Sequence, residues 1–82
     1  TTKEDFSNIR MYTAEKELII AGLLLDNTIA KIFDLQGRAI MSVPLETSSQ
    51  LNTINLNQFS NGIYIVYLTN DNKVKSQKII LK

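Results

Sequence analysis

The chain has 82 residues, 44% of them hydrophobic and 21% charged, with a formal net charge of +1. This bounds it to one small globular domain, excludes disorder as its main character and leaves no field to steer nucleic acid or a membrane. With neither Cys nor His, disulfides, thiolate metal sites and Ser-His or Cys-His nucleophilic arrangements are excluded as well.

Absence of Cys suits the cytoplasm and equally an exported bacterial protein, so the redox compartment stays open. The longest apolar run, Leu18 to Leu25, falls far short of the roughly 20 residues of a membrane-spanning helix. The opening Thr1-Thr2-Lys3-Glu4-Asp5 lacks both the basic region and the apolar core of a signal peptide. Without Met at its head, the chain reads as a piece of something longer.

In chain order, residues 1–8 are polar apart from Phe6 and read as a linker or frayed start. Ile9 to Tyr12 alternates in a short strand, and Thr13 to Lys16 makes a turn. Glu17 to Gly22 is a second strand, which Leu23-Leu24-Leu25 extends before Asp26-Asn27 turns the chain; the Leu run is too short for an independent helix. Thr28 to Phe33 is the third strand. Asp34 to Arg38 turns it back, with Gly37 free to take positive φ and Asp34 placed to accept from a backbone amide two residues on. Ala39 to Val43 is the fourth strand, ended by Pro44 through loss of a ladder donor. After the polar loop Glu46 to Gln50 comes the fifth strand, Leu51 to Leu56, and a connection pinned by Phe59. Asn61 to Thr69 and Lys73 to Lys82, on either side of Asn70-Asp71-Asn72, form a β-hairpin.

Seven short strands at this spacing, with no sustained 3.6-residue period, predict an all-β, Ig-like antiparallel β-sandwich over residues 9–82. Strand parity selects a core of Leu18, Ile20, Ala30, Ile32, Ile54, Leu56, Tyr64, Val66, Leu68, Ile79 and Leu81. Ile63, Ile65 and Tyr67, of opposite parity in the sixth strand, are apolar too. Either that strand is central and covered on both faces or its outer face is a docking patch; two-sided burial, the commoner cause of such a run, is the expectation.

The remaining chemistry is sparse. Glu4, Asp5, Glu15, Glu17, Asp26, Asp34, Glu46 and Asp71 fall mostly in turns or on solvated faces, so no catalytic residue is assigned. Asp26-Asn27 and Asp71-Asn72 lack the ligand spacing of a calcium loop. Gly22, Gly37 and Gly62 are too scattered to cradle a phosphate. Tyr64, Tyr67 and Phe33 beside lysines suggest a base-stacking platform, but the near-neutral charge argues against nucleic acid. No metal or cofactor is expected. Charge is nevertheless uneven: Lys73, Lys75, Lys78 and Lys82 against Asp71 make a local +3 in the last 13 residues. Such a basic strand points to an anionic partner or, more commonly, to lysines that guard an edge strand against pairing with other chains, which leans against the weak dimer by strand addition that exposed edges allow.

Three segments carry a resemblance. Thr53-Ile54-Asn55-Leu56, followed by Gly62-Ile63-Tyr64-Ile65-Val66, resembles the hydrophobic–Asp/Asn–Leu…Gly-x-Tyr-hydrophobic-Val signature of the type A C-terminal sorting domain of the type IX (Por) secretion system. Ala30 to Arg38 resembles that family's strand and Asp-Leu-x-Gly-Arg turn, and Ser76 to Lys82 its terminal Lys-hydrophobic-hydrophobic strand. Order and spacing fit over residues 9–82. One departure stands at Met11-Tyr12-Thr13-Ala14, where the family usually opens with a Val-Tyr-Pro-Asn-Pro-like segment. It leaves room for a divergent member retained by the machinery.

The resemblance implies a non-catalytic address that follows an N-terminal cargo domain in a precursor. The cargo passes through the periplasm, is recognised by the outer-membrane translocon and ends at the cell surface or in the medium. A sortase-like peptidase would cut in residues 1–8 or just before them. Carried over residue by residue, Gly62 and Tyr64 set the sixth strand, Asp34 and Gly37 the mid-chain turn, and Lys78, Ile79, Ile80, Leu81 and Lys82 the recognition strand. The residues alone also allow a passive Ig-like spacer or adhesion module.

Overall fold

A computed structural model describes residues 9–22, 24, 26–70 and 73–82. Seven strands follow one another: β1 (Arg10–Ala14), β2 (Glu17–Ala21), β3 (Ile29–Phe33), β4 (Ala39–Pro44), β5 (Leu51–Asn55), β6 (Gly62–Thr69) and β7 (Val74–Leu81). They form two antiparallel sheets, ordered β1-β2-β5 and β4-β3-β6-β7. The Ig-like sandwich expected from strand spacing is what the chain adopts. The linker expected at residues 1–8 lies outside the described residues, as do Leu23, Leu25, Asp71 and Asn72.

The inner rows follow strand parity. Met11 lies opposite Ile20, and Leu18 opposite Ile54, in the three-stranded sheet. Ala30 faces Leu68 and Ile32 faces Val66 in the other. These side chains, with Leu56, Ile79 and Leu81, are buried between the sheets. Apart from the smaller Ala30, each contributes about 1.5–3 kcal/mol through removal of apolar surface from water. Ten of the eleven residues selected by parity are buried outright; Tyr64 is half-buried and packs against them. Ile9, Met11 and Leu24 join the core in addition.

Local chemistry places the element ends. The first strand runs through Ala14, so the β1–β2 turn is the two residues Glu15 and Lys16 rather than Thr13 to Lys16. Both have positive φ, 52° and 67°. A two-residue mirror-image turn matches the twist of the paired strands and demands this conformation. β2 stops at Ala21; Gly22 donates to the Gln50 carbonyl at 2.9 Å, and Leu24 is buried outside any strand, so the strand does not extend to Leu24. Pro44 pairs with Ile29 as the last residue of β4; this is an edge strand, where its missing N–H costs no ladder bond. A register shift between Ile32 and Phe33 leaves Ile40 as an extra residue on β4, and Ile40 and Met41 both pack against the core.

The sixth strand is central, with β3 on one side and β7 on the other. Its outer face is not covered by any described residue, contrary to the expectation of two-sided burial. Ile63 and Tyr67 are 37% and 38% exposed, and Ile80, the β7 partner of Ile63, is 50% exposed. The apolar run of β6 therefore has two causes: one parity fills the core, and the other paves an open sheet face.

Candidate recognition hairpin

The β6–β7 hairpin pairs eight residues with eight, from Gly62 opposite Leu81 to Thr69 opposite Val74. At its tip the Asn70 side-chain oxygen accepts from the Lys73 amide at 2.8 Å, and the Asn70 amide donates to the Lys73 carbonyl at 3.0 Å.

Gly62 opens β6 with φ of 157°. A Cβ there would lie 3.9 Å from the Tyr64 ring, an ordinary contact, so backbone conformation rather than space favours glycine. Tyr64, two residues on, sends its hydroxyl back to the Ser60 carbonyl at 2.7 Å. This is the arrangement of a tyrosine corner, which fixes the crossing from one sheet to the other. The Phe59 ring lies 6.4 Å from that of Tyr64, and the Phe59 carbonyl accepts from the Lys16 ammonium at 2.7 Å. Gly62 and Tyr64 thus shape the entry to the hairpin.

The terminal strand divides by parity. Ile79 and Leu81 are buried at 4% and 1%, whereas Lys78, Ile80 and Lys82 are exposed. Of the five residues expected to form the recognition strand, only these three can meet a partner while the sandwich stays folded.

The outer edge of β7 faces β1, the edge of the other sheet. The Thr13 hydroxyl donates to the Ile80 carbonyl at 2.9 Å, and the Gln77 amide donates to the Met11 carbonyl at 2.6 Å. Parallel and bridged by these two side chains, the two edges line an open groove of about 520 Å³ between Met11–Lys16 and the end of β7. Sequence reading passed over Thr13 and Gln77. The available signal was Gln77 itself, a neutral amide at the inward parity of Ile79 and Leu81, where a hydrogen-bond partner is needed.

The mid-chain turn follows β3. Asp34 Oδ1 accepts from the amides of Gln36 (2.9 Å) and Arg38 (3.0 Å), and Oδ2 accepts from Arg38 Nε at 2.9 Å. The Arg38 amide bond leads the causes holding the Asp34 carboxyl below its ordinary pKa, assisted by the Arg38 side chain and the Gln36 amide against a smaller opposing effect of burial. Gly37 has φ of 86° with open space where a Cβ would sit. Its role is conformational. These hydrogen bonds of Asp34 close within its own turn, whose residues border β6 at Ile65 and Tyr67.

Among the described residues no three His, Cys, Asp or Glu side chains gather at metal-binding distance. The arrangement offers strand edges, a groove and a sheet face. Over residues 8–82 the chain matches the family model described as the secretion system C-terminal sorting domain. The chain belongs to that family. No match is found among curated proteins. The sorting domain is the C-terminal signal by which cargo is exported through the type IX system, and the family is not known as catalytic. As a sorting domain the chain is the tail of a cargo precursor handled by that machinery, bound for the cell surface or the medium.

Proposed function

We propose that this sorting domain is a purely non-catalytic address read from the exposed side of its last strand. The observation that carries the reading is the division of β7: Lys78, Ile80 and Lys82 are presented outward while Ile79 and Leu81 lock the strand into the core. Residues 9–82 constitute the address and residues 1–8 the tether to the cargo. The outer-membrane translocon reads the address from the periplasmic side, and a sortase-like peptidase cuts in or just before the tether. The lack of His and Cys in the sequence supports a role without chemistry of its own. Strand addition between copies is disfavoured at the β7 edge, where Thr13 and Gln77 already bridge to β1.

The test is export of a reporter, carrying a signal peptide and this domain at its C-terminus, from a bacterium with the type IX system. Deleting residues 78–82 would remove core side chains and confound folding with recognition. Lys78→Ala, Ile80→Thr and Lys82→Ala, made together, change only exposed positions. The expected outcome is a folded fusion that stays in the periplasm. Undiminished export of the triple variant would move the address away from the last strand.

A further inference from the structure

The outer face of the four-stranded sheet carries a patch that neither the core nor the terminal strand explains. Lys31 of β3 lies opposite Tyr67 of β6, and Phe33 lies opposite Ile65. Across the other edge of β6, Ile65 is paired with Lys78 and Ile63 with Ile80. Phe33 and Tyr67 meet edge-to-face with ring centroids 5.3 Å apart. Over these rings lies a shallow depression of about 510 Å³, floored by Phe33, Ile65 and Tyr67 and walled by Leu35 and the Asp34 turn.

The charges on this face are one-sided. Lys31 and Lys78 flank the apolar strip, and the single salt bridge among the described residues is Arg38 with Asp34. Asp34 stands at the rim, but both of its oxygens are engaged within its own turn. Packed against the same face of a second copy, this face would set lysine near lysine, with Asp34, the carboxylate at its rim, already engaged in its own turn. A depression lined by Lys31, with Lys78 beside its floor residue Ile65, suits a discrete side chain better than a flat lipid surface. We infer that this face docks a protein partner that inserts an apolar side chain over Phe33 and Tyr67 and places carboxylates against Lys31 and Lys78. The inference rests on the export reading, since it makes that partner a component of the export machinery. It also goes beyond it, because Lys31, Phe33 and Tyr67 belong to strands other than the last.

The experiment uses the same reporter fusion with Lys31→Glu, Tyr67→Thr and, as a charge-matched control away from the strip, Lys73→Glu. Each purified variant is first checked for a cooperative melt. The expected result is at least a ten-fold fall in exported reporter for Lys31→Glu and Tyr67→Thr, with Lys73→Glu within two-fold of the parent. Equal falls for Lys31→Glu and Lys73→Glu would assign the effect to bulk charge and overturn the inference, as would no fall for Lys31→Glu, whose exposed position keeps that variant folded even if Tyr67→Thr unfolds. Flotation of the parent domain with vesicles of phosphatidylglycerol but not phosphatidylcholine, lost in Lys31→Glu, would make the face a lipid site and overturn the protein partner. Failure of the parent fusion to be exported strikes the export reading itself, and this inference with it.

Discussion

The Thr13 hydroxyl donates to the Ile80 carbonyl across 67 positions of sequence, at 2.9 Å, and so ties the first strand to the last. With the Gln77–Met11 bond beside it, this contact closes the seam where the two sheets present unpaired edges. Thr13→Val keeps the branched shape and removes the donor; Gln77→Leu does the same for the amide. Each is expected to lower the unfolding free energy by about 0.5–1.5 kcal/mol. Because both pin one edge, the double variant should deviate from additivity in urea denaturation.

Leu81 and Ile80 are neighbours with opposite duties. Leu81→Ala removes a core side chain and should cost about 2–5 kcal/mol of stability. Ile80→Ala, at an exposed site, should cost less than about 1 kcal/mol. Thermal melts check both. Loss of export by the Leu81 variant is then attributable to unfolding, and loss by the Ile80 variant to recognition.

The Glu15-Lys16 turn holds two ordinary residues in the left-handed region. Asn tolerates that region better, so Glu15→Asn should raise stability by about 0.5–1 kcal/mol. Lys16 is bound differently. Its ammonium reaches the Phe59 carbonyl at 2.7 Å, and its own carbonyl accepts from Leu56 at 2.9 Å. Lys16→Met retains the stem but not the charge-assisted bond, with an expected loss of about 1.5–3 kcal/mol. Denaturation midpoints of the two variants should move in opposite directions.

Asp34 adds a pH dependence. Its folded-state pKa lies below the ordinary value, chiefly through the Arg38 amide, so the fold favours the ionised carboxyl. The resulting stabilisation is present above the unfolded-state pKa, about 4, and is lost as pH falls through the folded-state value. Asp34→Asn should therefore melt below the parent at pH 7, with the gap closing under about pH 4. A gap that stayed constant with pH would show that the turn owes nothing to the carboxylate charge.

Much of this molecule was written in local pattern. Alternation of apolar residues marks strands and tells inside from outside, because successive side chains of a strand point to opposite faces. That is why Ile32, Val66 and Leu68 could be placed in the core before any pairing was known. Asp34 and Gly37 announce their turn because its bonds span only four residues and its backbone demands a positive φ. Boundaries were less legible: nothing local shows that β2 ends at Ala21 and that Leu24 lies outside it, since the Gly22–Gln50 bond joins distant segments.

What the sequence by itself determined is the class of fold, the inner face of each strand and, through its resemblance, the family. Only the tertiary structure decided which strands share a sheet, that no described residue covers the outer face of β6, and that Thr13 and Gln77 close the seam between β1 and β7. The reason is physical. Periodicity reports which side of a strand is apolar, whereas coverage of that side and satisfaction of an edge depend on segments tens of residues away, brought together only when the two sheets pack.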